Sequence, residues 1–351
     1  MSTRADYLAL RGETVESTFL DAIRNTLAAA MRHDPTVVVV GEDIAGGAGQ
    51  GQPLEGSMGG TFGATKGLLE EFGPLRVRDT PISEAAVVGA AVGAAIAGLR
   101  PVVDLMWASF APYCFDQILN QAAKLRYMSG GQASIPLVIR MAAGAGLRAA
   151  AQHSDTLYPI FTHIPGLKVV VPATPAEAQG LLLASIADDN PVVFIEHMDL
   201  YRQRGPVLVE PVAMPLGQLG IARRGNDITI ACVGQTLHPA LASIDGFEGR
   251  VDAEVISLRS LQPLDLNSLL TSVRRTGRLV VVEESPPRCS VSADIAASVG
   301  QALFGQIGAP IARVNSLASP VPFSPVLEDA HLPNASRITT AIEATMGWTS
   351  R

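Results

Sequence analysis

Charge is scarce in this chain: Asp, Glu, Lys and Arg make up 17% of its 351 residues, against 48% hydrophobic residues. So little charge on a folded chain implies apolar surface buried against other subunits, and the composition predicts an obligate oligomer. Basic clusters are missing as well. With a net charge of -7, a pI near 5.4 and no run of Lys and Arg, nucleic acid and anionic membranes are poor partners. Cysteine is rare: Cys114, Cys232 and Cys289 stand far apart with no CxxC or Cys/His spacing. That spacing argues against zinc and fits buried structural thiols in a reducing, cytoplasmic setting. The longest apolar stretch, 85–99, stops at Arg100, short of the ~18 residues that a membrane helix needs. The opening MSTRADYLALRGETVE holds acids among its arginines and no apolar segment, unlike a secretory or transit peptide. No internal repeat is visible, and the one biased tract is a glycine-rich loop at 45–63, expected to be mobile or ordered by a partner.

What the sequence does have is alternation. Short β-rich apolar runs alternate with longer Ala/Leu-rich segments, the pattern of an α/β protein with mainly parallel sheets flanked by helices. Strands are expected at 36–40, 100–105, 135–141, 167–171 and 191–196, and helices at 15–32, 84–98, 113–127, 152–163 and 175–187. The proline-punctuated stretch RQRGPVLVEPVAMPLG reads as a linker. The domain limits that follow are 13–200, a linker at 201–220, and a second domain at 221–351. In the second domain strands are expected at 228–233, 253–257, 278–283 and 309–314, and SPVPFSPVLEDAHLP reads as a wrapped arm.

The stretch RVRDTPISEAAVVGAAVGAAIAGLRPVVDL carries the strongest chemical signal. Glu84 is the single acid at the entrance of a helix of small apolar residues. An acid there complements the helix macrodipole and can cap free amides. Gly89 and Gly93, with Ala90, Ala94 and Ala97, leave a face with almost no bulk, which permits a tight core helix pair or a close subunit contact. In the second case Glu84 is a desolvated, functional carboxylate. His153, in AAAQHSD, is either a hydrogen-bonded structural residue or a group that titrates near neutral pH. GAGLRA at 144–149 matches a relaxed dinucleotide fingerprint, yet no acid follows the next strand to hold a ribose. A tight turn that delivers His153 is the better reading. The loop IADDNPVV reads as a turn around Asn190-Pro191.

In order along the chain, GEDIAGGAG, GGTFGATKGLLEEFG, RVRDTPISE, FDQILNQAAKLRYMSGG, GAGLRAAAQHSD, THIPGLKVVVP, DDNPVVFIEH, PRCSVSADIA and PVPFSPVLED resemble one family from about residue 13 to 348. It is the beta subunits of thiamine-diphosphate-dependent 2-oxo acid dehydrogenases (pyruvate, branched-chain and acetoin types), with the acetoin type most similar. The resemblance implies a pyrimidine-binding fold followed by a transketolase C-terminal-like domain. It implies that Glu84 hydrogen-bonds the ring nitrogen of the cofactor's aminopyrimidine and favours the imino tautomer that deprotonates the thiazolium carbon. Phe110 would lie against that ring, and Met106 and Tyr113 would join Glu84 and Phe110 in binding the cofactor. His153 would contact the cofactor-bound substrate and assist acyl transfer to a lipoyl group. The backbone carbonyls of Leu137, Ser185, Asp188 and Asn190 would hold a structural potassium ion.

The Gly-Asp-Gly motif that holds the Mg²⁺ and diphosphate in this superfamily is missing, and Gly225-Asn226-Asp227 is only an echo of it. The resemblance therefore implies an alpha subunit that carries the motif, in an α2β2 assembly. It also implies a lipoyl-bearing acyltransferase or carrier protein as acceptor. Ser109, Asp155 and Ala318 depart from the family pattern at the substrate end, which keeps a transketolase-like transfer of a two-carbon ketol unit as the alternative. A non-catalytic scaffold is disfavoured by Glu84, Phe110 and His153 standing together.

Overall fold

The computed structural model describes residues 12–45 and 59–348. Most of the opening segment (1–11) and of the glycine-rich loop (46–58) lie outside the described residues, as do 349–351. The chain forms two compact units that interleave in sequence. One holds 12–143 and 160–216, and the other holds 144–159 and 217–348.

In the first unit, β1 (Thr14–Thr18) leads directly into α1 (Phe19–His33), followed by β2 (Val37–Gly41), α2 (Leu68–Phe72), β3 (Val77–Asp79) and α3 (Glu84–Ile96). Then come β4 (Arg100–Trp107), α4 (Leu125–Met128), β5 (Val138–Ala143), α5 (Tyr158–Thr162), β6 (Lys168–Val170), α6 (Pro175–Ala187), β7 (Val192–His197) and β8 (Arg204–Leu208). The main strands lie in the order β6-β7-β5-β4-β2-β3, all parallel. Their apolar runs are buried on both faces, as a helix-covered parallel sheet requires. Against that sheet, α1 and α6 pack side by side.

Several expected elements change. Residues 14–18 do not start the first helix; they pair antiparallel with β8, which lies inside the stretch read as a linker. Thr18 ends the strand and caps α1, its side-chain oxygen accepting from the Asp21 N–H at 3.0 Å. The helix expected at 113–127 is a 3₁₀ segment (Ala108–Cys114), a π segment (Gln117–Ala122) and then α4. The 3₁₀ segment contains Pro112, which has no N–H to give to a helical ladder. The helix expected at 152–163 is a 3₁₀ turn (Ala151–His153), an irregular stretch at 154–157 and then α5, with Pro159 in its first turn. By contrast, α6 has the limits expected for it, with Thr174 as its cap and Pro175 at its first position.

The second unit adds β9 (Gly220–Arg223), β10 (Ile228–Cys232), α7 (Leu237–Asp245), β11 (Ala253–Ser257), β12 (Ser260–Gln262), α8 (Leu266–Thr276), β13 (Leu279–Val282), α9 (Val291–Ala302) and β14 (Ala312–Val314). It ends with α10 (Pro325–His331) and α11 (Ala335–Met346). Its sheet runs β14-β13-β10-β11-β9, parallel except for β9. The stretch read as an arm contains α10, whose Glu328 and His331 are buried. All three cysteines are free thiols; Cys114 and Cys232 are buried, but Cys289 is exposed, against the expectation of three buried ones. No helix among the described residues is long and apolar enough to cross a membrane.

Candidate active site

The site is built at the carboxyl ends of β2 and β4, where ligands gather in open parallel sheets. The two strand ends approach closely at Gly41, where an added Cβ would stand 2.6 Å from the Asp104 carbonyl oxygen. Only glycine closes that gap, and it brings Glu42, the next residue, beside Asp104. Past Asp104 the pairing of β4 with β5 shifts register, and Met106 takes a left-handed backbone with φ 67°. A methionine there is strained. The Asp104 carboxylate stabilises the turn, because its Oδ1 accepts from the Met106 N–H at 3.0 Å.

Glu84 opens α3, in the first turn where the helix dipole favours a carboxylate. It lines one partly open pocket with Glu42, Val87, Asp104, Leu105, Met106 and Phe110. Three of the four cofactor positions expected from sequence, Glu84, Met106 and Phe110, thus line one cavity. Tyr113 does not line it and is 73% exposed. Burial, then the charges of Asp43 and Glu84, hold the Glu42 carboxyl above its ordinary value. Burial, followed by the Glu84 charge, pushes the Cys114 thiol up to about 12. The carboxylate of Glu84 is therefore felt at Glu42 and at Cys114.

A second, narrow pocket shares Glu42, Asp104 and Met106 with the first, and is lined also by Phe62, Arg140, Glu196 and Tyr201. Here a buried ionic network crosses three strands. Arg140 donates from Nε and Nη2 to the two Glu196 carboxylate oxygens at 2.7 and 2.9 Å, and from Nη1 to Asp104 Oδ2 at 3.0 Å. The Tyr201 hydroxyl donates to Glu196 Oε2 at 2.9 Å. Burial alone would lower the Arg140 pKa, but the charges of Glu196 and Asp104 outweigh it, so the guanidinium stays charged. Burial and then the Glu196 charge hold the Tyr201 phenol well above its ordinary value, so it remains a donor. Phe62 packs its ring 5.0 Å from both Trp107 and Tyr201. None of these residues was singled out from sequence, although a charge in VVDLM, VIRMAA and VVFIEH is the available signal.

His153 belongs to the other compact unit, at the end of the 3₁₀ turn that follows GAGLRA. The backbone of that turn offers no free amide cradle at its start. Ala145 N–H donates to Glu284 at 2.6 Å and Gly146 N–H to Glu328 at 2.9 Å.

The carbonyl set expected to hold potassium lies around the end of α6. Leu137 O accepts from the Val192 N–H at 2.8 Å and Ser185 O from the Asp188 N–H at 3.3 Å. Asp188 O accepts from Arg100 Nη1 at 3.1 Å, and Lys168 pairs with the Asp188 carboxylate. Each of these three carbonyls keeps a second lone pair that a hard cation can use, although the Arg100 guanidinium already stands on that of Asp188. Among the described residues no group of three or more His, Cys, Asp or Glu is arranged to hold a metal ion.

Residues 16–204 match the transketolase pyrimidine-binding domain and residues 217–338 the transketolase C-terminal domain. The chain is 50% identical over 327 residues to the acetoin:2,6-dichlorophenolindophenol oxidoreductase subunit beta of Cupriavidus necator, covering 93% of this chain and 96% of that one. It is 48% identical to the protein of the same name from Bacillus subtilis, over 93% and 96% of the two chains. It is 42% identical to the pyruvate dehydrogenase E1 component subunit beta of Rhizobium meliloti, over 95% of this chain and 70% of that one. Among solved structures, a split-gene transketolase described as an inactive beta4 tetramer has a TM-score of 0.71 at 20% identity, covering 95% and 98% of the chains, a likeness of fold. The chain therefore belongs to the family of acetoin and pyruvate dehydrogenase beta subunits, built from transketolase pyrimidine-binding and C-terminal domains.

Proposed function

We propose that this chain is the beta subunit of a heteromeric thiamine-diphosphate-dependent dehydrogenase that cleaves acetoin or decarboxylates a 2-oxo acid and passes the fragment to a lipoyl group. The observation that carries this reading is the pocket that places Glu84, Met106 and Phe110 together, in a chain 48–50% identical to acetoin oxidoreductase beta subunits. A carboxylate beside an aromatic ring and a thioether, at the carboxyl end of a parallel sheet, fits a flat heteroaromatic ring such as an aminopyrimidine.

In this reading the cofactor, when bound, supplies the electron sink for carbon–carbon cleavage. Glu84 would hydrogen-bond the ring nitrogen of the bound cofactor, beside the apolar side chains of Val87, Leu105 and Phe110. Phe110 offers a face for the ring, and the Met106 turn fixes the floor beside it. Tyr113 takes part through a neighbouring subunit, in keeping with its exposure. His153 contacts the substrate and assists acyl transfer. An alpha subunit supplies the diphosphate and Mg²⁺ site in an α2β2 assembly, a lipoyl-bearing acyltransferase accepts the product, and potassium sits on the carbonyls of Leu137, Ser185, Asp188 and Asn190. The domain limits 13–200 and 221–351 and a cytoplasmic setting, in keeping with three free thiols, belong to the same reading. Transketolase-like ketol transfer has in its favour only the departures at Ser109, Asp155 and Ala318 and a likeness of fold.

Reconstitution with the alpha subunit, thiamine diphosphate and Mg²⁺ tests the proposal, with acetoin, pyruvate and ketose phosphates offered as donors. Acetoin or pyruvate turnover that needs both subunits is expected. Glu84→Gln should leave assembly intact and lower kcat by about 10²–10⁴-fold. Near-parental activity of that variant, or full turnover by this chain alone, refutes the reading.

A further inference from the structure

The segment ahead of His153 has an unusual backbone. Every second residue from 144 to 150 has a left-handed φ: Gly144 at 89°, Gly146 at 111°, Arg148 at 59° and Ala150 at 61°. Glycine accepts this freely, but Arg148 and Ala150 do not. Ala150, with ψ -170°, stands in a region that essentially only glycine populates. Such strain persists only where the surroundings over-determine it, so the question is what holds this loop and what the loop holds.

What holds it comes from the C-terminal stretch of the same compact unit. Glu284, two residues after β13, accepts from the Ala145 N–H at 2.6 Å. Glu328 in α10, with a side chain 0% exposed, accepts from the Gly146 N–H at 2.9 Å and from Arg148 Nη1. Asp329 accepts from Arg148 Nη2 at 2.8 Å. The far end is tied to the residue next to Glu284: the Ser285 N–H donates to the buried Tyr158 hydroxyl at 3.2 Å. What the loop holds is the 3₁₀ turn Ala151–His153, in which the strained Ala150 gives its carbonyl to the His153 N–H at 3.4 Å.

We propose that Glu284 and Glu328 are positioning residues that keep loop 144–150 in its strained form and thereby fix His153 for work on the bound substrate. Proposal and test rest on His153 being used as described under the proposed function. The carboxylates do not touch substrate; they act through the backbone that carries the imidazole. Gln at 328 keeps an acceptor for one N–H but gives up the charge that anchors Arg148, and its size leaves the buried space filled.

The test uses the αβ complex and two readouts. The first, taken without cofactor, is the rate of diethyl pyrocarbonate modification at His153, read by peptide mass spectrometry with His163 and His33 as internal controls. Glu328→Gln and Glu284→Ala, which removes the acceptor of the Ala145 N–H, should each change the His153 rate several-fold and leave the controls alone. Either variant decides the matter if the other folds poorly. The second readout compares turnover with lipoamide and with the dye 2,6-dichlorophenolindophenol as acceptors. Lipoamide turnover should fall on the order of 10- to 100-fold in Glu328→Gln, more than dye turnover, and Glu328→Gln/His153→Ala should be no worse than His153→Ala. Unchanged modification of His153 in both variants, or additive losses in the double variant, overturns the proposal. Full lipoamide turnover in His153→Ala overturns the assigned use of His153, and the modification rates still decide whether the carboxylates fix the loop.

Discussion

Arg140 and Glu196 face each other across adjacent parallel strands with two hydrogen bonds of 2.7 and 2.9 Å, and both side chains are buried to within 3% of full. The pair lies one contact away from the Glu84 pocket, because Arg140 also holds Asp104 and Asp104 holds the Met106 turn.

Removing one partner strands the other. Arg140→Met leaves Glu196 uncompensated in the interior and should lower stability by about 3–5 kcal/mol. The double change Arg140→Met/Glu196→Leu should recover most of that loss. Urea unfolding of the assembled complex measures both, and a double variant no more stable than Arg140→Met contradicts the account.

Glu42 gives a pH prediction whose sign follows from its raised pKa. A carboxyl with a folded pKa above its unfolded value binds its proton more tightly in the folded state. Its contribution is then fully favourable below the ordinary carboxylate range and is lost as pH rises through the raised value. Glu42→Gln should therefore have a higher thermal midpoint than the parent at pH 7–8, with the gap closing toward pH ~4. A gap that does not vary with pH, or a lower midpoint at pH 8, counts against it.

The oxygen-rich end of α6 predicts a cation response. Exchanging choline chloride for potassium chloride at equal ionic strength should raise the thermal midpoint, and sodium should do so less. Asp188→Ala, which frees Lys168 and loosens the turn that presents the Asp188 and Asn190 carbonyls, should abolish the difference. Equal midpoints in all three salts remove potassium from the proposal.

Much of the fold was legible in the sequence because strand and helix periods differ and each parallel strand is a short apolar run. Helix α6 was legible to the residue, since Thr174-Pro175 marks its start. What could not be read depends on partners far away in sequence. Residues 14–18 become a strand only because 204–208 lie beside them, and the local signal Thr18-x-x-Asp21, which marks the true helix start, competes with an apolar pattern running through it. In the site, Glu84 announced itself through a motif, and Phe110 only through the family resemblance. Asp104, Arg140 and Glu196 did not, because each is a single charge in an apolar strand and acquires meaning only when register sets Asp104 opposite Arg140 and Arg140 near Glu196.

The interleaving of the two units also bears on how this chain can be rearranged. Residues 144–159 are encoded amid the first unit but fold with 217–348. A gene split or domain exchange at the 201–220 stretch would separate the His153 turn from Glu284, Glu328 and Ser285, and either half would inherit an incomplete part. Modular recombination of this architecture therefore has to transfer residues 144–159 together with the C-terminal portion, so the unit of inheritance is discontinuous in the gene.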